Sequence, residues 1–312
     1  MTTTAIDGHT DTAALDALLA QVRASFTETP DQRARVMFDA LVRHAHAFLR
    51  EVAPTLEEWA AGVEFLTRVG QTCSETRQEF VLLSDVLGLS MLIETINDAD
   101  IDSVTDSTVL GPFHMTASPA RQLGESTDLT GVGEPCVITG SVRAPDGTPL
   151  AGAILDVWQC DGDGFYDVQK PDDVPAGNGR GLFRTDEQGR FHFRAVVPSH
   201  YPIPTDGPVG DLLAAARRHP YRPAHVHFIA SAPGFRDLTT HVFVADSPYL
   251  DSDAVFAVKD SLVIRFETSH DRDLAAAHRL AVPFMLAQVE LVLAPLDATG
   301  AGLAVPAEGT SR

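Results

Sequence analysis

Cysteine is scarce. Three residues in 312, Cys73, Cys136 and Cys160, include no CxxC pair; one thiol is left over, which argues against a disulfide framework. Positive charge is scarce too. Lys and Arg number 23 against 43 Asp and Glu, a formal net charge of -20. A nucleic acid or an anionic membrane would be repelled, so neither is an expected partner, and any anionic ligand must be held by local charge. No apolar run reaches the length of a membrane span. The opening stretch "MTTTAIDGHTDTAALD" lacks the basic and apolar regions of a secretory signal. A cytoplasmic location is the expectation. Tyrosine is rare as well, at four residues, so where the tyrosines stand is informative.

What is present divides into two halves of different period. From about residue 12 to 98 the apolar residues recur at helical spacing, as in "TAALDALLAQVRASF", where Leu15, Leu18, Leu19, Val22 and Phe26 form one stripe. The spacing predicts a helix beginning at "TPDQ", capped by Thr29 with Gln32 closing a box, and another at "TLEE", where Thr55 and Glu58 make the same signature. A fourth helix is predicted through "ETRQEFVLLSDVLGLSMLIETIN". Beyond residue 130 the chain turns to short β-branched and aromatic runs separated by turn dipeptides such as Asp146-Gly147 and Gln188-Gly189. Many strands without intervening helices predict a sandwich or barrel. Residues 171–181 and 202–220 read as long Pro- and Gly-rich loops.

One strand motif carries chemistry. In "RPAHVHF" the side chains of His225 and His227 are two apart, so on a strand both face one point. Two converging imidazoles can be half of a metal site, although a satisfied structural histidine is the commoner fate. No glutamate follows to make a cupin. His44 and His46 repeat the spacing on a helix, where positions two apart diverge. Two tyrosines stand in loop contexts that could complete a site, Tyr166 in "DGDGFYD" and Tyr201 in "PSHYPIP". Either alone reads as a core tyrosine. Together with the histidines they point to a hard trivalent cation, which would ionise a phenol and take it as a donor.

Here the segments "GPF" (111–113), "DVWQCDGDGFYD", "FRTDEQGRFHFRAV", "YPIPTDGPVGDLL" and "RPAHVHFIASAPGFRDLTTHVFVADSPYLDSDAVF" resemble the intradiol ring-cleavage dioxygenases. The likeness runs from about residue 105 to 290, and the N-terminal helices fit the catechol-type branch. It implies an α+β fold: a helical linker and dimerisation unit over residues 1–104, an antiparallel β-sandwich catalytic domain over 105–295, and a flexible tail over 296–312. By position, Tyr166, Tyr201, His225 and His227 match ligands of one non-haem Fe(III) per subunit, with Tyr201 and His227 axial. Arg222 matches the arginine that stabilises negative charge on bound substrate, and Tyr201 the group that takes a proton from the diol. Dioxygen would then open the ring between the two hydroxyl-bearing carbons.

Within the family, "DVWQ", "FYDVQ", "RGLFRTD" and "YPIPTDGPVG" resemble the hydroxyquinol-cleaving branch most. That implies benzene-1,2,4-triol as substrate and 3-hydroxy-cis,cis-muconate or its tautomer maleylacetate as product; catechol or a substituted catechol is the alternative. Asp85, a carboxylate among Leu82, Leu83, Val86 and Leu87, matches a pocket position that could meet the third hydroxyl, against the plainer reading of a helix–helix hydrogen bond. Positional match makes Leu82, Val109, Gly111, Pro112, Phe113, Ile203, Pro204 and Val255 the walls. His241, where catechol enzymes commonly carry glutamine, is either a group near the substrate or a satisfied strand histidine. Leu110 and Cys160 depart from the family pattern. The resemblance also implies a homodimer joined through the N-terminal helices, with a lipid tail between them. Two rivals stay open at this point. A noncatalytic β-sandwich binding module would need neither the histidine pair nor the tyrosines, and a zinc hydrolase would sit poorly with phenol donors.

Overall fold

The computed structural model describes residues 11–74, 77–98, 103–114 and 118–296. The tail expected over 296–312 lies outside them from residue 297 onward. Five helices come first: α1 (Thr12–Ala24), α2 (Gln32–Val52), α3 (Leu56–Thr72), α4 (Glu79–Val86) and α5 (Leu89–Asp98). The cap of α2 is Asp31 and not Thr29: its carboxylate accepts from the backbone N–H of Arg33 and Ala34. A carboxylate is favoured at the positive end of a helix. The box ahead of α3 forms as the sequence predicts, Thr55 N–H donating to Glu58 Oε2 at 2.7 Å and Glu58 N–H to Thr55 Oγ1 at 3.1 Å. The predicted fourth helix is in fact two. The backbone breaks at Gly88, where φ is +71°, a conformation glycine adopts without a Cβ penalty.

The chain forms two compact units, Met1–Thr67 and Arg68–Arg312. Helices α4 and α5 belong with the second, although the change from helix to strand comes after them. In that unit follow β1 (Pro135–Arg143), β2 (Ile154–Trp158), β3 (Arg180–Arg184), β4 (Arg190–Val196), β5 (Tyr201–Pro202), α6 (Pro208–Ala215), β6 (Tyr221–Arg222) and β7 (His225–Ser231). After these come β8 (Leu238–Val244), β9 (Val263–Ile264), β10 (Glu267–Ser269), α7 (Arg272–Ala277) and β11 (Phe284–Val292). Helix α6 occupies a stretch whose proline and glycine read as loop; Pro208 sits in its first turn, where the missing N–H costs nothing.

The sandwich is made of a four-stranded sheet, β10-β11-β1-β4, and a five-stranded sheet, β3-β2-β7-β8-β9. It is mixed, not purely antiparallel as expected, because β1 pairs β11 and β8 pairs β9 in parallel. Parallel neighbours need a long crossover, and here the returning chain supplies it. One core joins strands of both sheets: Ile138, Val142, Phe191, Phe193, Val289 and Leu291 from the first, Leu155, Val157, Phe183, Val226 and Phe228 from the second. Phe183 stacks on Phe193 at 4.9 Å between ring centroids. Burying such side chains contributes roughly 1.5–3 kcal/mol each, as an upper bound. On β7 the alternation sends Val226 and Phe228 into this core, so His225 and His227 face the opposite side of the sheet.

Candidate metal centre

That outer face is closed by two segments carrying the tyrosines. After β2 the loop folds on Asp161, whose carboxylate accepts from Asp163 and Phe165 N–H at 3.0 Å each. Tyr166 N–H then donates to Gln169 Oε1 at 2.8 Å. The next residue, Asp167, is held by Arg180, 2.7 Å away and buried. Tyr201 is placed by the two-residue ladder of β5 and β6, which sets it opposite Arg222. Strand register sets the rest: His227 lies between Trp158 on β2 and His241 on β8, with the indole stacked on its ring at 4.4 Å.

Four donor atoms meet there in a closed ring. Tyr166 Oη lies 3.2 Å from Tyr201 Oη and 3.0 Å from His227 Nε2. His227 Nε2 is 3.1 Å from His225 Nε2, which is 3.3 Å from Tyr201 Oη. All four residues are at most 1% exposed. His225 Nδ1–H donates to the Pro223 carbonyl at 2.7 Å, which leaves the Nε2 lone pair turned into the ring. Neighbouring ligands bonded to one ion at about 2.1 Å stand roughly 3 Å apart, so the spacing fits a single metal ion.

Electrostatics agree with the geometry. Burial holds the imidazoles of His225, His227 and His241 well below their ordinary range, with the Arg222 guanidinium adding to the effect. They are neutral, as ligands must be. Burial likewise lifts the Tyr166 phenol well above its usual range and raises that of Tyr201, which the charge of Arg222 partly offsets. Two buried phenols and two facing imidazole lone pairs have little reason to converge without a cation, and a cation is what would ionise the phenols.

Of the other residues named from the sequence, Leu82, Val109, Ile203 and Val255 pack in one buried cluster with Val86 and Phe243. Asp85 is 1% exposed; its Oδ1 has no hydrogen-bond partner, and burial pushes its carboxyl up despite Ser90 and Arg222. Phe113 stacks on Tyr166 at 4.6 Å. Gly111, at φ +80°, lets the chain pass His227 so closely that a Cβ would stand 3.0 Å from the ring. Pro112 and Pro204 are half-buried. Leu110 is 43% exposed, and Cys160 is fully buried. His44 is exposed and His46 half-buried on α2.

His241 hydrogen-bonds Thr108 Oγ1 through Nδ1, while its buried Nε2 is without a partner. Ligand atoms of His225, His227 and His241 lie within 4.8 Å of one another, so the site holds three imidazoles. Sequence reasoning missed Asp253, which pairs with Arg222 at 3.1 Å. It also missed Glu79, fully buried, which accepts from Val209 N–H at 3.1 Å and ties α4 to α6. Asp253 is one of three aspartates in "ADSPYLDSD", and nothing local distinguishes it.

Residues 109–288 match the family model described as "Dioxygenase", and residues 31–105 the one described as "Catechol dioxygenase N terminus". A hydroxyquinol 1,2-dioxygenase of Rhizobium sp. (strain MTP-10005) is 46% identical over 276 residues, covering 88% of this chain and 92% of that one. A 6-chlorohydroxyquinol 1,2-dioxygenase of Cupriavidus pinatubonensis (strain JMP 134) is 50% identical over 242 residues, 78% and 87% of the two chains. Among solved structures, hydroxyquinol 1,2-dioxygenase of Pseudomonas putida DLL-E4 superposes with a TM-score of 0.82 at 46% identity, covering 91% of this chain and all of that one. Matches of this extent leave no place for the noncatalytic module. The chain belongs to the intradiol ring-cleavage dioxygenases.

Proposed function

We propose that the enzyme cleaves hydroxyquinol, with dioxygen, between the 1- and 2-hydroxyl carbons, giving 3-hydroxy-cis,cis-muconate or its tautomer maleylacetate. Both oxygen atoms of O2 end in the product. Tyr166, Tyr201, His225 and His227 would hold one Fe(III) per subunit, a reading supported by the ring of donor atoms 3.0–3.3 Å apart. Bound ferric iron supplies Lewis acidity toward the diol and lets it react with dioxygen. The remaining work falls to the chain. Tyr201, ionised to a phenolate by the bound cation, would take a proton from the diol and become the neutral phenol that burial favours. Arg222 Nη1, 3.2 Å from His225 Nε2, stabilises negative charge on the substrate. The apolar walls exclude water.

The observation that carries the choice of substrate is Asp85, a buried carboxyl with an unpartnered oxygen on the helix that also carries Leu82 of the predicted walls. A site built around a polar partner rejects an analogue lacking the hydroxyl more strongly than an apolar site rejects an added one. Catechol is the second reading, and comparing kcat/KM for the two substrates decides between them. The first experiment is the visible spectrum of the concentrated protein before and after anaerobic hydroxyquinol. A red phenolate-to-iron band that shifts with the triol supports the assignment. A colourless protein carrying full metal, or a band that ignores the triol, overturns it.

A homodimer and a cytoplasmic location belong to the same proposal. No helix among the described residues is long and apolar enough to cross a membrane. In the first compact unit Leu41, Phe48, Leu56 and Trp59 are all more than half exposed, which supports burial against a second copy. A groove of about 640 Å³ bordered by Leu15, Leu18, Leu49 and Trp59 is where the lipid tail would lie.

A further inference from the structure

We propose that Asp253 is the positioning residue that aims Arg222 at the donor ring and cancels its charge. The inference rests on the functional reading above only where turnover is measured. Arg222 is 1% exposed and Asp253 4%. The guanidinium donates through Nε to Asp253 Oδ1 at 3.1 Å and through Nη2 to Oδ2 at 3.3 Å. That two-pronged grip fixes the plane of the fork, and Nη1 is the nitrogen left to face His225 Nε2 at 3.2 Å. A lysine could not be oriented in this way.

The carboxylate is itself immobilised. Val255 N–H donates to Oδ1 at 3.3 Å and Ala257 N–H to Oδ2 at 3.1 Å. Four donors therefore occupy the roughly four lone-pair sites of the group. None remains for a substrate or a proton in transit, so Asp253 acts through Arg222 and not on the reacting atoms. The contact to Val255 also ties the arginine to a wall of the predicted pocket.

Charge gives a second reason for the pair. A buried guanidinium beside a site suited to a trivalent cation would repel that cation across a medium of low dielectric. With Asp253 the pair is neutral overall. Arg222 keeps its local hydrogen-bonding capacity without adding net positive charge.

The test uses the iron-loaded full chain with Asp253→Asn, Arg222→Gln and the double variant. Asparagine keeps the volume but puts an NH2 where one oxygen accepted, losing one Arg222 contact and one backbone contact. The expected result is a loss in kcat/KM of about a hundredfold for Arg222→Gln and about tenfold or more for Asp253→Asn, with the double variant no worse than Arg222→Gln. Equal, additive losses from Asp253→Asn in both backgrounds would mean that it acts on its own, and would overturn the proposal. Position is read separately from turnover by the Arg222 Nε–H resonance of the chain loaded with diamagnetic Ga(III) in place of iron, expected to be protected from exchange in the parent and not in Asp253→Asn. Unchanged protection, or a crystal structure with Nη1 still on His225, also overturns it. Should the parent cleave no diol at all, the functional reading fails while this second arm still decides the role of Asp253. Asp253→Asn strands a buried positive charge and can fail to fold. The double variant leaves none, and Asp253→Glu retains the carboxylate, so these two complete the comparison: partial recovery of rate and protection by glutamate supports positioning, and no recovery with normal folding counts against it.

Discussion

At the scale of single residues, the four donors of the ring are not equivalent. His227 is locked between Trp158 and His241, so His227→Ala removes one corner of the ring and leaves a space beside Trp158 where its imidazole stood. Iron content, measured by mass spectrometry after dialysis, should fall about tenfold or more; full occupancy would show that the ligands are others. Tyr201→Phe removes a phenol oxygen of the ring that is proposed to act also as the base. Here much of the iron should stay, the visible band should shift, and kcat should fall by about a hundredfold. An unaltered rate would take Tyr201 out of the reaction.

Asp85 is testable through stability. Its carboxyl is raised by burial, so the folded state holds its proton to higher pH than the unfolded chain does. Between those two values the native protein binds more protons, and stability falls as pH rises through the window. Asp85→Asn lacks that loss. Urea unfolding should find the variant gaining on the parent as pH rises above about 4, the range in which the unfolded carboxyl ionises, and a difference that does not change with pH would mean the carboxyl is not raised.

At the scale of elements, the site depends on breaks as much as on strands. Gly88 separates α4, which carries Leu82 and Asp85, from α5. A Cβ there would meet the Phe256 ring at an ordinary 3.5 Å, so the cost of Gly88→Ala lies in the left-handed backbone alone. That cost is about 1–2 kcal/mol, or roughly 2–4 °C per kcal/mol in Tm for a domain of this size. An unchanged Tm would argue that the chain there has another conformation open to it. The same element logic explains Glu79. Its buried carboxylate caps the first turn of α6 through Val209 N–H and meets Arg77 at 2.9 Å, so the segment bearing Ile203 and Pro204 is anchored to the helix bearing Asp85.

At the scale of the whole molecule, the net charge of -20 works against compactness, since like charges spread over a folded surface repel one another. Screening should relieve this. Raising NaCl from about 10 to about 150 mM near neutral pH, which shortens the Debye length from roughly 30 to 8 Å, should raise Tm. A fall would mean that favourable ion pairs such as Arg23–Asp39 at 2.5 Å and Arg50–Asp16 at 2.7 Å outweigh the repulsion.

Much of this was legible in the residues themselves. A period of two puts His225 and His227 on one face of any strand, and the change from helical spacing up to about residue 98 to strand spacing beyond 130 separates the helical region from the sandwich. Two loop tyrosines among only four made Tyr166 and Tyr201 stand out, and their order with the histidines carried the family. Local signals are silent about partners distant in the chain. The apolar period runs through Gly88 without a pause, so one helix was read where the backbone makes two. The Pro- and Gly-rich run hid α6, whose stability comes from packing against α4. Asp253 looks like Asp246 and Asp251 until the loop brings it 31 residues back to Arg222. Sequence alone determined which donor types the chain carries and which strand aligns two of them. Only the tertiary structure decided that two phenols would close the ring, that a third imidazole would join it across β7 and β8, and that one aspartate of three would hold the arginine, because each depends on register and loop closure between segments that share no local signal.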